Sequence, residues 1–324
     1  MQTLTEHPVD APPPVPPVHD VLSARGRKWR PGLMTVAAAV IAVFGLTILL
    51  YPSAASWVSS YNQSKLVKNY SEQLSNVQPS AAEQLQIAHE YNNALSSGVR
   101  LDANANVPTG DGVSSDDSLI YNDMLKASSN GLMARLRIPS IDVDLPIYHG
   151  TSDPVLLRGV GHLEGSHLPI GGIDTHSVLT AHRGLANATM FTNLDDVKVG
   201  DTFTIEVFGE VLTYQVNETK VVDPGDTDTL RAVPGKDLVT LITCTPLGIN
   251  THRILVTGER ITPTPIKDIA EMGSAPTIPG FPWWVVWYGT GLALIGGFVW
   301  RAGLTDSKQR APRSARLSAS AESA

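Results

Sequence analysis

The 324-residue chain contains one cysteine, Cys244. A lone thiol cannot close an intrachain disulfide, and without a CxxC pair or a Cys/His cluster there is no framework for structural zinc. HExxH and PCxxC are also missing, which removes the common metal-hydrolase and zinc-deaminase signatures. No metal and no cofactor is expected. Charge is sparse, at 17% Asp, Glu, Lys and Arg, and unevenly spread. Residues 1–32 and 301–324 hold nine of the 24 basic and five of the 31 acidic residues, which leaves the stretch between them with 15 against 26, a net charge of −11. Phosphate neutralisation needs clustered Lys and Arg, so nucleic acid is excluded as a partner.

Two long runs carry no charge. Residues 33–50, "LMTVAAAVIAVFGLTILL", and 281–300, "FPWWVVWYGTGLALIGGFVW", are each long enough to cross a hydrocarbon core of roughly 30 Å. Trp283, Trp284 and Trp287 suit an interfacial belt. Arg25, Arg27, Lys28 and Arg30 precede the first run, and Arg301, Lys308, Arg310, Arg313 and Arg316 follow the second. The positive-inside rule therefore places both termini in the cytoplasm and the middle of the chain outside. A cleaved signal peptide ending near Ser53-Ala54-Ala55 is the alternative for the first run, whose length favours a retained anchor.

The chain then divides into a Pro-rich cytoplasmic tail (1–32), a span (33–51), a helical extension (52–98), a flap or lid loop (99–130), a β-barrel domain (131–261), a Pro-rich linker (262–280), a span (281–300) and a basic tail (301–324). Ser80 and Glu83 in "SAAEQLQIAHEYNNAL" form a capping box at a helix start. Residues 99–130, rich in Asn, Asp, Gly and Ser, lack periodicity. From Gly131 onward short β-rich runs punctuated by Gly, Pro, Asn and Asp predict an all-β barrel or sandwich. "FTIEVFGEVLTYQV" reads as a hairpin turning near Gly209-Glu210, and residues 152–158 as a short helix entered at Asp153-Pro154.

Cys244 ends the apolar run "LVTLITC", and Arg253 opens the next, "RILVTGERI". If these strands pair, thiol and guanidinium face each other at the loop mouth. A nearby Arg lowers a thiol pKa and can stabilise an oxyanion, which are two requirements of cysteine acyl transfer. The plain alternatives are a packed cysteine and a surface ion pair. Of nine histidines, His182 in "SVLTAHRGL" is the best partner, because it too lies where an apolar strand breaks into a Gly-containing loop. His176 shares its parity but would lie about 20 Å away along a continuous strand. His149, His162, His167 and His252 sit in turn-like contexts with structural or solvated roles.

"TLITCTPLGINTHRILVTG" resembles the cysteine signature of sortases, a TLxTC motif with an arginine on the following strand, and "HSVLTAHRG" resembles their histidine segment. The likeness runs from about Gly131 to Arg260. Two apolar spans and a helical extension are most similar to the class C, pilin-polymerising group of Gram-positive, actinobacterial type. The resemblance implies a closed sortase-like β-barrel with short helices. It implies that Cys244 attacks the Thr–Gly carbonyl of an LPxTG-like sorting signal, that His182 shuttles the proton, and that Arg253 steadies the oxyanion. Its implied partners are pilin subunits or other surface proteins, a lysine amine acceptor, and the cell membrane. Anchoring of proteins to a peptidoglycan precursor, hydrolysis, and a non-enzymatic adhesion or scaffold domain are the other readings. One feature departs from the family: residues 99–130 contain no Asp-Pro-aromatic lid motif, so a lid would use Asp111, Asp116 or Asp117. The Ser-His-Gly-Cys motif of L,D-transpeptidases is missing, and "LPIGG" at 168–172 reads as a turn.

Overall fold

The computed structural model describes residues 29, 31–74, 77–96, 99–100, 109–110, 113–116, 118–128, 131–225, 228–276 and 278–309. Its helices are α1 (Leu33–Leu74), α2 (Ala81–Ala94), α3 (Asp153–Leu156), α4 (Ile266–Ala270) and α5 (Trp283–Gln309). The chain forms two compact units, one comprising Ile48–Trp287 and the other the flanking segments up to Thr47 and from Tyr288.

In the flanking unit the first part of α1 packs on α5. Thr47 Oγ1 and Tyr288 OH lie 3.2 Å apart, and a Cβ on Gly291 would sit 3.2 Å from Leu46 Cδ1, so the missing side chain permits close approach. Both helices are long and apolar enough to cross a membrane.

The other unit is built on eight strands: β1 (Leu132–Ile138), β2 (Val143–His149), β3 (Val160–His162), β4 (Thr175–Thr180), β5 (Thr202–Val207), β6 (Glu210–Val222), β7 (Asp237–Thr245) and β8 (His252–Arg260). They close in the order β6-β8-β7-β4-β3-β2-β1-β5. Closure leaves no strand edge unpaired. Two pairs are parallel, β7 with β4 and β2 with β3; the rest are antiparallel. The β5–β6 hairpin turns one residue earlier than its sequence suggests, at Phe208-Gly209. Both residues have positive φ, 46° and 89°, which suits the two-residue turn that matches strand twist.

Strands β1 and β2 are buried along nearly their whole length. One face fills the barrel and the other is covered, in part by α1: Tyr70 OH donates to Met133 O and accepts from Phe208 N. The predicted capping box starts α2, with Glu83 N donating to Ser80 Oγ and Ser80 N to Glu83 Oε2. Asn92 at its far end pairs reciprocally with the backbone of Leu168. Inside the barrel Phe203 and Tyr214 stack with centroids 5.5 Å apart. A Cβ at Gly258 would meet the Phe203 ring at 2.6 Å, so glycine is the residue that this stack allows. Within 168–172, read from the sequence as a turn, the chain bends at Pro169 and Ile170. Residues 99–130 are not wholly irregular. Leu95–Ser96 pairs with Val113–Ser114, Val99–Arg100 pairs with Thr109–Gly110, and a 3₁₀ turn follows at Tyr121–Asp123.

Candidate active site

Strand pairing decides which residues can meet Cys244. In the antiparallel β7–β8 ladder Cys244 stands opposite Arg253. In the parallel β7–β4 ladder the last matched pair is Ile242 with Thr180. Two further steps in the same direction bring Cys244 level with His182. That continuation is held by Ala181 N donating to Ile242 O (3.2 Å) and Thr243 Oγ1 donating to Ala181 O (2.8 Å). Cys244 and Arg253 thus share a rung of the β7–β8 ladder, and His182 lies two residues past the end of β4 on the other side of β7.

Cys244 and His182 both line a cavity of about 250 Å³, together with Arg183, Gly184, Leu185, Gly248 and Asn250. A larger cavity, about 430 Å³, lies between α1 and the Ile141–Leu145 segment and is lined by neither cysteine nor histidine. The chemistry is therefore located by the thiol and not by cavity size. Arg253 does not line the smaller cavity and is 2% exposed. Its Nη1 donates to the carbonyls of Asn250 and His252, 2.9 Å each, which fastens the base of the 246–251 loop. That loop reverses through left-handed Gly248 and Asn250 and lays Leu247 so tightly on Gly184 that a side chain there would collide with it.

The electrostatics differ in one respect from the sequence argument. Arg253 does pull the Cys244 pKa down, but burial is the larger influence and the thiol ends above its ordinary value. Burial likewise lowers the His182 pKa, with Asp153 acting weakly the other way. At neutral pH the resting pair is thiol and neutral imidazole. Asp153 was invisible as a neighbour of His182 in the sequence, because 29 residues separate them.

His149 and His162, expected in turn-like contexts, instead end paired strands β2 and β3, while His176 lies inside β4, in the strand its sequence suggests. His162 accepts the Tyr121 hydroxyl at Nδ1 and donates Nε2–H to His167 O; His176 bridges Arg231 O and Thr240 Oγ1. His252 is half-exposed beside Asp223. Asp116, a candidate lid residue, is exposed and accepts from Ser118 in its own turn. The other two candidates, Asp111 and Asp117, lie outside the described residues. Among the described residues no cluster of three or more His, Cys, Asp or Glu is placed to hold a metal.

A closed eight-stranded barrel with a cysteine and a histidine on one cavity, and an arginine paired to the cysteine, defines a small class of proteins. Residues 136–261 match the sortase domain, and the chain belongs to the sortase family, whose members are transpeptidases. Sortase C-1 of Actinomyces oris superposes with a TM-score of 0.50 at 48% identity, covering 56% of this chain and 99% of that one. Streptococcus pneumoniae sortase C gives 0.54 at 37% identity, covering 62% and 100%. Sortase D of Bacillus subtilis is 32% identical over 130 residues, 39% of this chain and 63% of that protein's length. The solved neighbours include class C sortases from Actinomyces and Streptococcus, and also a sortase A from Corynebacterium diphtheriae.

Proposed function

We propose that this protein is a membrane-held cysteine transpeptidase that cleaves an LPxTG-like sorting signal between Thr and Gly and transfers the acyl group to a lysine amine of a pilin subunit. The observation that carries this reading is the cavity shared by Cys244 and His182, with Arg253 paired to Cys244 on the neighbouring strand. Cys244 is the nucleophile. Its sulfur bonds to the Thr carbonyl carbon while the proton passes through His182 to the departing Gly amine, leaving a thioester. The acceptor amine then attacks the thioester, His182 takes a proton from it, and the thiol is released. One amide is exchanged for another, so no external energy source is required. Arg253 stabilises the oxyanion by its charge.

The pilin acceptor is supported by likeness to Streptococcus pneumoniae sortase C, whose structure is described as informing pilin substrate specificity. The two apolar helices and the basic residues beyond them support two spans with the barrel on the outer face.

The test incubates the full-length protein in detergent micelles with an LPxTG peptide and a lysine-bearing pilin domain, and follows intact mass. The expected result is a thioester adduct on Cys244 that passes to the pilin lysine and is abolished by Cys244→Ala. An adduct that only hydrolyses, whatever amine is supplied, would overturn the transferase assignment.

A further inference from the structure

The proton transfers require the His182 ring to stay beside the Cys244 sulfur, yet among the described residues no hydrogen bond holds that ring. Its position depends on its backbone and on packing. On one side the backbone is secured by β4 and its link to β7. On the other side the next residue, Arg183, makes three separate attachments. Its Nε donates to Thr192 O at 3.0 Å, Nη1 donates to Thr245 Oγ1 at 2.8 Å, and Nη2 pairs with Asp195. Thr245 directly follows Cys244. Thr192 lies in the loop that turns back on the histidine, where Phe191 N donates to His182 O at 3.0 Å and Gly184 N to Thr192 Oγ1 at 3.1 Å.

We propose that Arg183 is a positioning residue for the transfer reaction, acting through Thr245 and Thr192 to hold the His182 imidazole against the Cys244 sulfur. The proposal rests on the reading of Cys244 and His182 as a nucleophile and its proton partner. One guanidinium ties the residue after the histidine to the residue after the nucleophile. Its side chain is only 9% exposed, so water competes poorly for these bonds. The Asp195 carboxylate is half-exposed, and an ion pair there contributes little. The bond to Thr245 is therefore the informative one. The cation acting on Cys244 is Arg253, so Arg183 works by geometry and not by charge. Lysine keeps the charge but cannot reproduce a rigid fork aimed at three acceptors.

The experiment measures alkylation of Cys244 by iodoacetamide against pH, by intact mass, on the full-length protein in micelles. The proteins are wild type, His182→Ala, Arg183→Lys, Thr245→Val, and each of the last two combined with His182→Ala. The resting pair is thiol and neutral imidazole, so His182 speeds alkylation by accepting the thiol proton, and the wild-type rate at pH 7 is expected to be about tenfold above that of His182→Ala. Arg183→Lys and Thr245→Val are expected to fall to within about threefold of His182→Ala, and neither should lower the rate further once His182 is gone. Asp195→Asn, measured alongside them, should keep most of the wild-type rate. A wild-type rate at pH 7 in Thr245→Val, or an equal loss with and without His182, would overturn the proposal. If Arg183→Lys melts at a lower temperature, Thr245→Val, which preserves the β-branched shape, carries the test. Peptide turnover is separate. Failure of every donor peptide would sink the transpeptidase reading but leave the alkylation comparison standing, whereas equal rates at pH 7 in wild type and His182→Ala would sink the positioning role.

Discussion

Cys244 sits between two opposed influences, and burial wins over the charge of Arg253. Alkylation should therefore rise with a midpoint above the ordinary thiol value of about 8.5. Arg253 favours the thiolate, so removing its charge can only move that midpoint further up. Arg253→Gln is expected to do so in a pH titration of iodoacetamide reactivity, and to lower transfer by about 100-fold or more through loss of oxyanion stabilisation. An unchanged midpoint would show that the guanidinium acts only by fastening the 246–251 loop. The pairing of Cys244 with Arg253 was legible in the sequence, because both residues lie at ends of apolar runs joined by a short loop. The outcome for the thiol was not, since the weight of desolvation depends on how closely the 184 and 246–251 segments pack, and Leu247 on Gly184 is a contact between distant parts of the chain.

At the scale of elements the barrel is locked by Arg135. From β1 it binds Asp144 of β2 through Nε and Nη2, at 2.8 and 2.7 Å, reaches Glu206 of β5 at 3.3 Å, and donates to the Ser274 carbonyl of the segment after α4. All three side chains are nearly buried. Removing one member of such a cluster leaves charges stranded in a poor dielectric, so Arg135→Leu should cost about 3–5 kcal/mol. Chemical denaturation of the full-length protein in micelles would measure it, and a loss below about 1 kcal/mol would mean that water replaces the guanidinium. Here the sequence was less informative. "LMARLRIP" reads as a strand, but an arginine on a strand looks like a surface residue until the barrel closes and the returning segment covers it. The strands themselves were legible because turn residues separate them; the parallel pairing of β7 with β4, which brings His182 to Cys244, spans more than sixty residues and leaves no local mark.

Across the whole molecule, four of the described histidines outside the candidate active site are buried, His149, His162, His167 and His176, and burial lowers their pKa values. For His162 the value falls to about 3. Its hydrogen bonds agree with a neutral ring, Nδ1 accepting from Tyr121 and Nε2–H donating to His167. In the unfolded chain a histidine takes up a proton near pH 6.5, while the folded ring resists until near its lowered value. Between these limits the unfolded state binds more protons, so stability is fully present above about pH 6.5 and is lost as pH falls. His162 alone contributes about 1.4 kcal/mol for each pH unit descended in that window, and the other three act in the same direction. Most carboxylates remain ionised above about pH 5.5, so in the interval between about pH 6.5 and 5.5 the histidines dominate the change. The thermal midpoint of the full-length protein in micelles should fall steadily across it. His162→Gln should be less stable at pH 7.5 because Tyr121 and His167 lose a well-placed partner, yet its decline with acid should be shallower, and equal slopes for the two proteins would show that His162 already carries a proton in the fold.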